Sequence, residues 1–140
     1  MIAYVDSSVL LRKLFGEPSA LEEWSTIETA YASRLLPLEV GRVIDRARLA
    51  GKISDAEVAD LHDEARRVLR SIEVLAITDR ILDRAEGPMP TVLGSLDAIH
   101  LCTALELAQS LGAALVLATH DERLARAARA SGLEVCGVAV

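Results

Sequence analysis

The chain reads as an α/β protein built on a parallel sheet, and two patterns in the sequence predict it. Short apolar runs of strand length alternate with longer stretches of period 3.6, as expected for strands joined by right-handed helical crossovers. Four acids, Asp6, Glu39, Asp97 and Asp121, stand where such a chain turns out of its strands and into its helices. In an open parallel sheet the strand ends share one edge, and ligands bind in the crevice there.

The apolar runs at 2–5, 30–32, 72–77, 114–118 and 134–138 are expected to be short buried strands, the second the weakest. The first helix is expected from Ser8 to Phe15, stopped by Gly16 and Pro18. A second starts at Pro37, a good first-turn residue, and runs to Ala50 before Gly51. A third opens at Ser54-Asp55-Ala56-Glu57, a capping-box spacing, and continues to Arg70. A fourth covers Asp79 to Glu86, after which Gly87-Pro88-Met89-Pro90 forces a loop. Ser95 is placed to cap a helix from Leu96 to Leu111, ended by Gly112. The last helix, Glu122 to Ser131, stops at Gly132. No repeat, linker or low-complexity segment breaks this order, so residues 1–140 are read as a single domain.

Composition agrees. A chain of 140 residues can bury a full core without disulfides or metals as staples. A hydrophobic content of 51% and a mean hydropathy of +0.31 exclude a disordered chain. No apolar stretch approaches the ~20 residues of a membrane span. The start, Met1 to Asp6, has no basic segment ahead of an apolar one, so a cytoplasmic location is expected. Cys102 and Cys136 sit singly in apolar pattern and read as reduced core residues. A net charge of −6 and a pI near 5.0 argue against a protein that coats nucleic acid, though not against an enzyme that grips it locally. Of the basic residues 13 are Arg and 2 are Lys, and Arg is the better phosphate fork; most of this excess is put down to codon bias.

Each acid has its own local reason for its place. Asp6 closes the first apolar run, Glu39 falls in the first turn after Pro37, Asp97 lies two residues past Ser95, and Asp121 opens the last helix. Acids in first turns are ordinary helix starters, favoured by roughly 0.3–1 kcal/mol each. Asp6 and Asp97, however, are embedded in apolar sequence, where a carboxylate is costly to desolvate unless paired or metal-bound. Gathered at one edge without an obvious cationic partner, four carboxylates suggest a hard divalent metal.

The segments Val5-Asp6-Ser7-Ser8-Val9-Leu10, Ser33-Arg34-Leu35 leading to Leu38-Glu39-Val40 and Arg42, Leu93-Gly94-Ser95-Leu96-Asp97-Ala98-Ile99-His100-Leu101, and Thr119-His120-Asp121 occur in this order. With the tail Leu124, Ala127-Ala128 and Gly132 to Val135, the chain closely resembles the PIN-domain ribonucleases, in particular the VapC toxin subunits of bacterial toxin–antitoxin pairs. The resemblance implies a PIN-like three-layer α/β/α fold around a short central parallel sheet of four to five strands. It also implies that Asp6, Glu39, Asp97 and Asp121 bind Mg²⁺ or Mn²⁺, with Thr119 orienting a carboxylate or a water. A further acid near the last motif, Glu122, is kept outside this set. Implied partners are RNA, a cognate antitoxin protein and a second copy of the chain.

The resulting expectation is a metal-dependent endoribonuclease acting as a toxin and leaving 5′-phosphate and 3′-hydroxyl ends. Two rivals stand beside it. A non-catalytic PIN binding module would usually have lost one or more acids, and all four are present. An aspartate-nucleophile phosphatase needs a second acid two residues after Asp6, where Ser8 stands.

Other residues are read as structural or left open. His100 is placed on a different face of its helix from Asp97, His62 in solvent, and His120 on the surface, with contact to RNA or to groups around a metal as its alternative. Arg34, Arg42 and Arg46 could grip phosphate, pair within the chain or face the antitoxin. Leu10, Leu11, Leu14 and Phe15 with Trp24 form an apolar stripe, mostly core, part of which is a candidate groove for a partner helix.

Overall fold

A computed structural model describes residues 1–139 of the chain. Five strands, β1 (Ile2–Val5), β2 (Thr29–Ser33), β3 (Ile72–Leu75), β4 (Val116–Ala118) and β5 (Glu134–Cys136), form one sheet in the order β3-β2-β1-β4-β5. Every neighbouring pair is parallel. Six α-helices connect them: α1 (Ser7–Leu14), α2 (Leu35–Leu49), α3 (Asp55–Leu69), α4 (Asp79–Glu86), α5 (Ser95–Leu111) and α6 (Glu122–Ala130). A short 3₁₀ turn at Glu22–Thr26 precedes β2.

Successive strand residues point to opposite faces, and both faces of this sheet are apolar, so each needs its own cover. On β1, Ala3 and Val5 face one side, where they join Val9 of α1, Leu36, Val40 and Ile44 of α2, and Val68 of α3. Tyr4, between them, faces the other side with Leu117 of β4, Leu101 and Leu107 of α5, and Leu124 of α6. Burial of each such Leu, Ile or Val side chain stabilises by roughly 1.5–3 kcal/mol. The result is a three-layer α/β/α sandwich. No helix of the described residues is long and apolar enough to cross a membrane.

The strands are shorter than three of the apolar runs because β3, β4 and β5 stop pairing after three or four residues. The helix expected from Pro37 begins two residues earlier, at Leu35. Pro37 is tolerated at its third position, where the backbone N–H has no intrahelical partner in any case. Glu39 therefore sits in the second turn. Gly94, not Ser95, is the cap of α5, with no side-chain cap bond. The capping box at Ser54 is present: Glu57 N donates to Ser54 Oγ (3.2 Å) and Ser54 N to Glu57 Oε1 (3.1 Å).

The strand order locates a crevice. From β1 the chain builds outward through β2 to β3, then returns by α4 and α5 to place β4 on the other side of β1. Between β1 and β4 the winding direction switches, which is where an open α/β sheet binds its ligands. Asp6 is the first residue beyond β1 and Thr119 the first beyond β4, and Asp6 N donates to Ala118 O (3.2 Å).

Candidate active site

Asp6 is held from four directions. It caps α1, its Oδ1 accepting from Ser8 N (3.1 Å), Val9 N (3.4 Å) and Ser8 Oγ (2.6 Å). Its Oδ2 accepts from Thr119 Oγ1 (2.7 Å). Only 3% of Asp6 is exposed, and burial raises its carboxyl pKa above the ordinary value, while the bonds from Ser8 and Thr119 pull the other way. Val5 and Leu10 on either side explain the burial: the chain turns from strand to helix inside the core.

Thr119, fully buried, links the two strand ends. Besides donating to Asp6, its Oγ1 accepts from Asp121 N (2.9 Å). Ser8 Oγ accepts from His120 N (2.9 Å), so the turn after β4 hangs from the turn after β1 by two side-chain hydroxyls. β5 supports it from behind: Thr119 N donates to Cys136 O (3.0 Å) and His120 Nδ1 to Gly137 O (2.7 Å).

Asp121 caps α6, with Oδ1 accepting from Arg123 N (2.8 Å) and Leu124 N (3.1 Å). Its other oxygen makes no protein hydrogen bond among the described residues. Asp97, in the first turn of α5, is partly buried and makes none with either oxygen. Its pKa is raised by desolvation and then by the charge of Asp121, with Asp6 and Glu39 adding and His100 opposing. The four acids thus share one electrostatic neighbourhood at the β1/β4 switch point. They do not close into a cage: among the described residues no three His, Cys, Asp or Glu side chains form a ready metal-holding group.

One oxygen of Glu39 is taken by His100. Its Nε2 lies 2.6 Å from Glu39 Oε1, and its Nδ1 lies 2.7 Å from Tyr4 Oη. The sequence expectation that His100 points away from Asp97 is wrong. A spacing of three residues keeps two side chains on the same side of a helix, and that spacing was the available signal. His100 is only 1% exposed and Tyr4 not at all. His120 is likewise no plain surface histidine; it is half-buried, and its Nε2 has no partner among the described residues.

The basic residues fall into separate roles. Arg42 pairs with Asp45 (3.2 Å), as does Arg48 (2.8 Å), and these bonds hold the Asp45 carboxyl below its ordinary range. Arg42 and Arg46 also border a groove of about 320 Å³ beside Glu39, walled by Leu11, Leu35, Leu38, Val43 and Leu96. Leu14 and Phe15 line a different hollow with Ile53 and Leu61, so the expected stripe does not form one groove. Cys102 and Cys136 are unpaired thiols.

Comparison with known proteins agrees with this architecture. Residues 3–130 match the PIN domain family. The chain is 35% identical over 136 residues to Ribonuclease VapC46 of Mycobacterium tuberculosis (strain ATCC 25618 / H37Rv), covering 94% of each. It is 32% identical to Ribonuclease VapC47 of Mycobacterium tuberculosis (strain CDC 1551 / Oshkosh), covering 92% of this chain and 91% of the relative. The fold is similar to that of a toxin–antitoxin complex from Klebsiella pneumoniae, with a TM-score of 0.61 and 20% identity over 99% of this chain and 96% of the other. A PIN domain family match over nearly the whole chain, with relatives of this identity and coverage, leaves one assignment: the chain belongs to the PIN-domain family and is of the VapC type.

Proposed function

We propose that the chain is a metal-dependent endoribonuclease, the toxin of a toxin–antitoxin pair, hydrolysing RNA phosphodiester bonds to 5′-phosphate and 3′-hydroxyl ends. The observation that carries this reading is the shared neighbourhood of Asp6, Glu39, Asp97 and Asp121 at the β1/β4 switch point, with the Asp97 carboxyl pushed up by burial first and then by its acidic neighbours. The ribonuclease relatives of 35% and 32% identity support the chemistry, and the fold likeness to a toxin–antitoxin complex supports an inhibitory protein partner.

The donor set fits Mg²⁺ or Mn²⁺. All four groups are hard oxygens, they repel one another when ionised, and Asp97, Asp121 and Glu39 each keep an oxygen outside the protein's own hydrogen bonds. Among the described residues the acids do not close into a three-ligand group; Mg²⁺ keeps several waters and takes only part of its shell from carboxylates. Asp6, Asp97, Glu39 and Asp121 would hold it. When bound, the ion supplies an acidified water and positive charge against the phosphoryl group. The protein's part is orientation. Thr119 and Ser8 fix Asp6 so that it cannot rotate away, and the remaining carboxylate oxygens accept hydrogen bonds from water and aim it for in-line attack. No side-chain nucleophile is needed. The phosphatase reading also lacks its second acid, since Ser8 stands two residues after Asp6 and bonds its carboxylate.

On the same family resemblance the working unit is read as a homodimer acting in the cytoplasm. The deciding experiment is cleavage of RNA by the purified chain with and without EDTA, beside Asp97→Asn. EDTA-resistant cleavage would overturn the metal reading, and full activity in folded Asp97→Asn would overturn the site.

A further inference from the structure

We infer that His100 is the positioning residue for Glu39, and that the buried chain Tyr4–His100–Glu39 presents the free oxygen of Glu39 to the cation of the acidic site. The inference rests on the metal reading above and deepens it.

The geometry is specific. Glu39 comes from the second turn of α2, which packs on the sheet face opposite to α5, yet its carboxylate bonds a side chain of α5. Only 19% of its side chain is exposed. One contact restrains it: His100 Nε2 to Oε1 at 2.6 Å. His100 is held in turn by Tyr4, whose Oη lies 2.7 Å from Nδ1, with the two rings edge to face at 71°. Tyr4 is anchored in the central strand with no exposure, so its hydroxyl is a fixed stop for the imidazole. A carboxylate oxygen accepts, so Nε2 carries the proton it gives to Glu39, and Nδ1 is held from the other side by the Tyr4 hydroxyl.

Two buried side chains thus stand behind one carboxylate. Oε1 is occupied by His100, and Oε2 has no partner among the described residues. A long, flexible glutamate pinned by one oxygen offers the other in a fixed direction at little further entropic cost. Partners behind a metal-binding carboxylate commonly carry 10–100-fold in affinity or activity.

The test measures Mn²⁺ binding to the protein alone, by titration followed with electron paramagnetic resonance, beside RNA cleavage at varied Mn²⁺. His100→Leu combined with Tyr4→Phe removes both groups behind Glu39 and leaves neither of the two unpaired. Its Mn²⁺ affinity is expected to fall about 10–100-fold, with half-maximal cleavage moved to correspondingly higher Mn²⁺ and much of the rate recovered at saturation. His100→Gln, whose amide N–H reaches near the position of Nε2, recovers most of the affinity, and the shorter His100→Asn does not. Should the double variant fail to fold, Gln against Asn makes the same comparison. A folded double variant with wild-type Mn²⁺ affinity, or Gln and Asn variants that bind equally well, overturns the inference. Wild-type protein that binds no Mn²⁺ and cleaves RNA in EDTA overturns the metal reading instead.

Discussion

Thr119 Oγ1 donates to Asp6 Oδ2 at 2.7 Å across the ends of two adjacent parallel strands, and the same oxygen accepts the backbone N–H of Asp121. One hydroxyl therefore sets the spacing between two acids that are 115 positions apart in the sequence. A hydroxyl can do this because it is donor and acceptor at once; no carboxylate, amide-free apolar group or ammonium offers both.

Thr119→Val keeps the shape and removes both bonds. Asp6 Oδ2 and Asp121 N are left without a partner in a dry environment, which costs about 1–3 kcal/mol. The melting temperature is expected to fall and RNA cleavage to drop at least about 10-fold, whereas Thr119→Ser stays close to wild type. Equal activity in Thr119→Val and Thr119→Ser would show that the hydroxyl does not organise the site.

The strand and helix order was legible in the sequence because alternation of short apolar runs with helical stretches has few other solutions. The α4 limits, Asp79–Glu86, and the capping box at Ser54 were read correctly because both rest on strictly local signals. Starts that depend on tertiary packing were not. Leu35 and Leu36 enter α2 ahead of Pro37 because both are buried against the core. The four acids were visible as strand-exit and helix-start residues, and Thr119 through the resemblance. The bond between His100 and Glu39 was invisible because it joins α5 to α2 over 61 positions, and periodicity says nothing of such a contact.

Asp97 provides a pH signature. Its carboxyl is raised above the ordinary 3.8, by burial first and by Asp121 next. A raised acid favours the folded state fully below its unfolded pKa, and that contribution is lost as pH rises through the folded value. In EDTA, Asp97→Asn is therefore expected to gain thermal stability over wild type, least near the ordinary value and increasingly toward neutral pH, while losing cleavage by about 100-fold or more. A stability difference that does not change with pH would contradict the crowding of charge at this site.

Gly137 follows β5 with φ of +101°, and a Cβ there would meet the Thr119 carbonyl oxygen at 2.3 Å. Gly137→Ala thus forces a strained backbone, of order 1–3 kcal/mol, against a turn that must not move. Loss of melting temperature and of cleavage together is expected. An alanine variant as stable as wild type would mean that the turn after β4 yields freely.

Metal should also act on the protein without RNA. A ligand that binds only the folded state stabilises it by about 2.7 kcal/mol at 100 times its dissociation constant. Mg²⁺ or Mn²⁺ is expected to raise the melting temperature, EDTA to reverse the rise, and Asp97→Asn to shrink it. Identical shifts in wild type and Asp97→Asn would place the ion elsewhere.

Control of the nuclease leads to the final prediction. Leu38 and Leu96, 58% and 51% exposed, stand over the groove beside Glu39, with Arg42 and Arg46 at its border. Apolar walls with a basic rim suit an amphipathic segment carrying acidic residues, and an arginine at its end would meet the carboxylates through charge-assisted hydrogen bonds. Expression of the chain alone is therefore expected to arrest growth, and co-expression of its antitoxin to restore it. Asp97→Asn should be harmless yet still bind the antitoxin, because its outer groove is intact. Leu38→Glu should keep cleavage but escape neutralisation, since it puts a charge on the wall where the inhibitor's apolar face would be buried. A Leu38→Glu chain that the antitoxin still silences would put the inhibitor on another surface, and an Asp97→Asn chain as toxic as wild type would make toxicity a matter of binding rather than of catalysis.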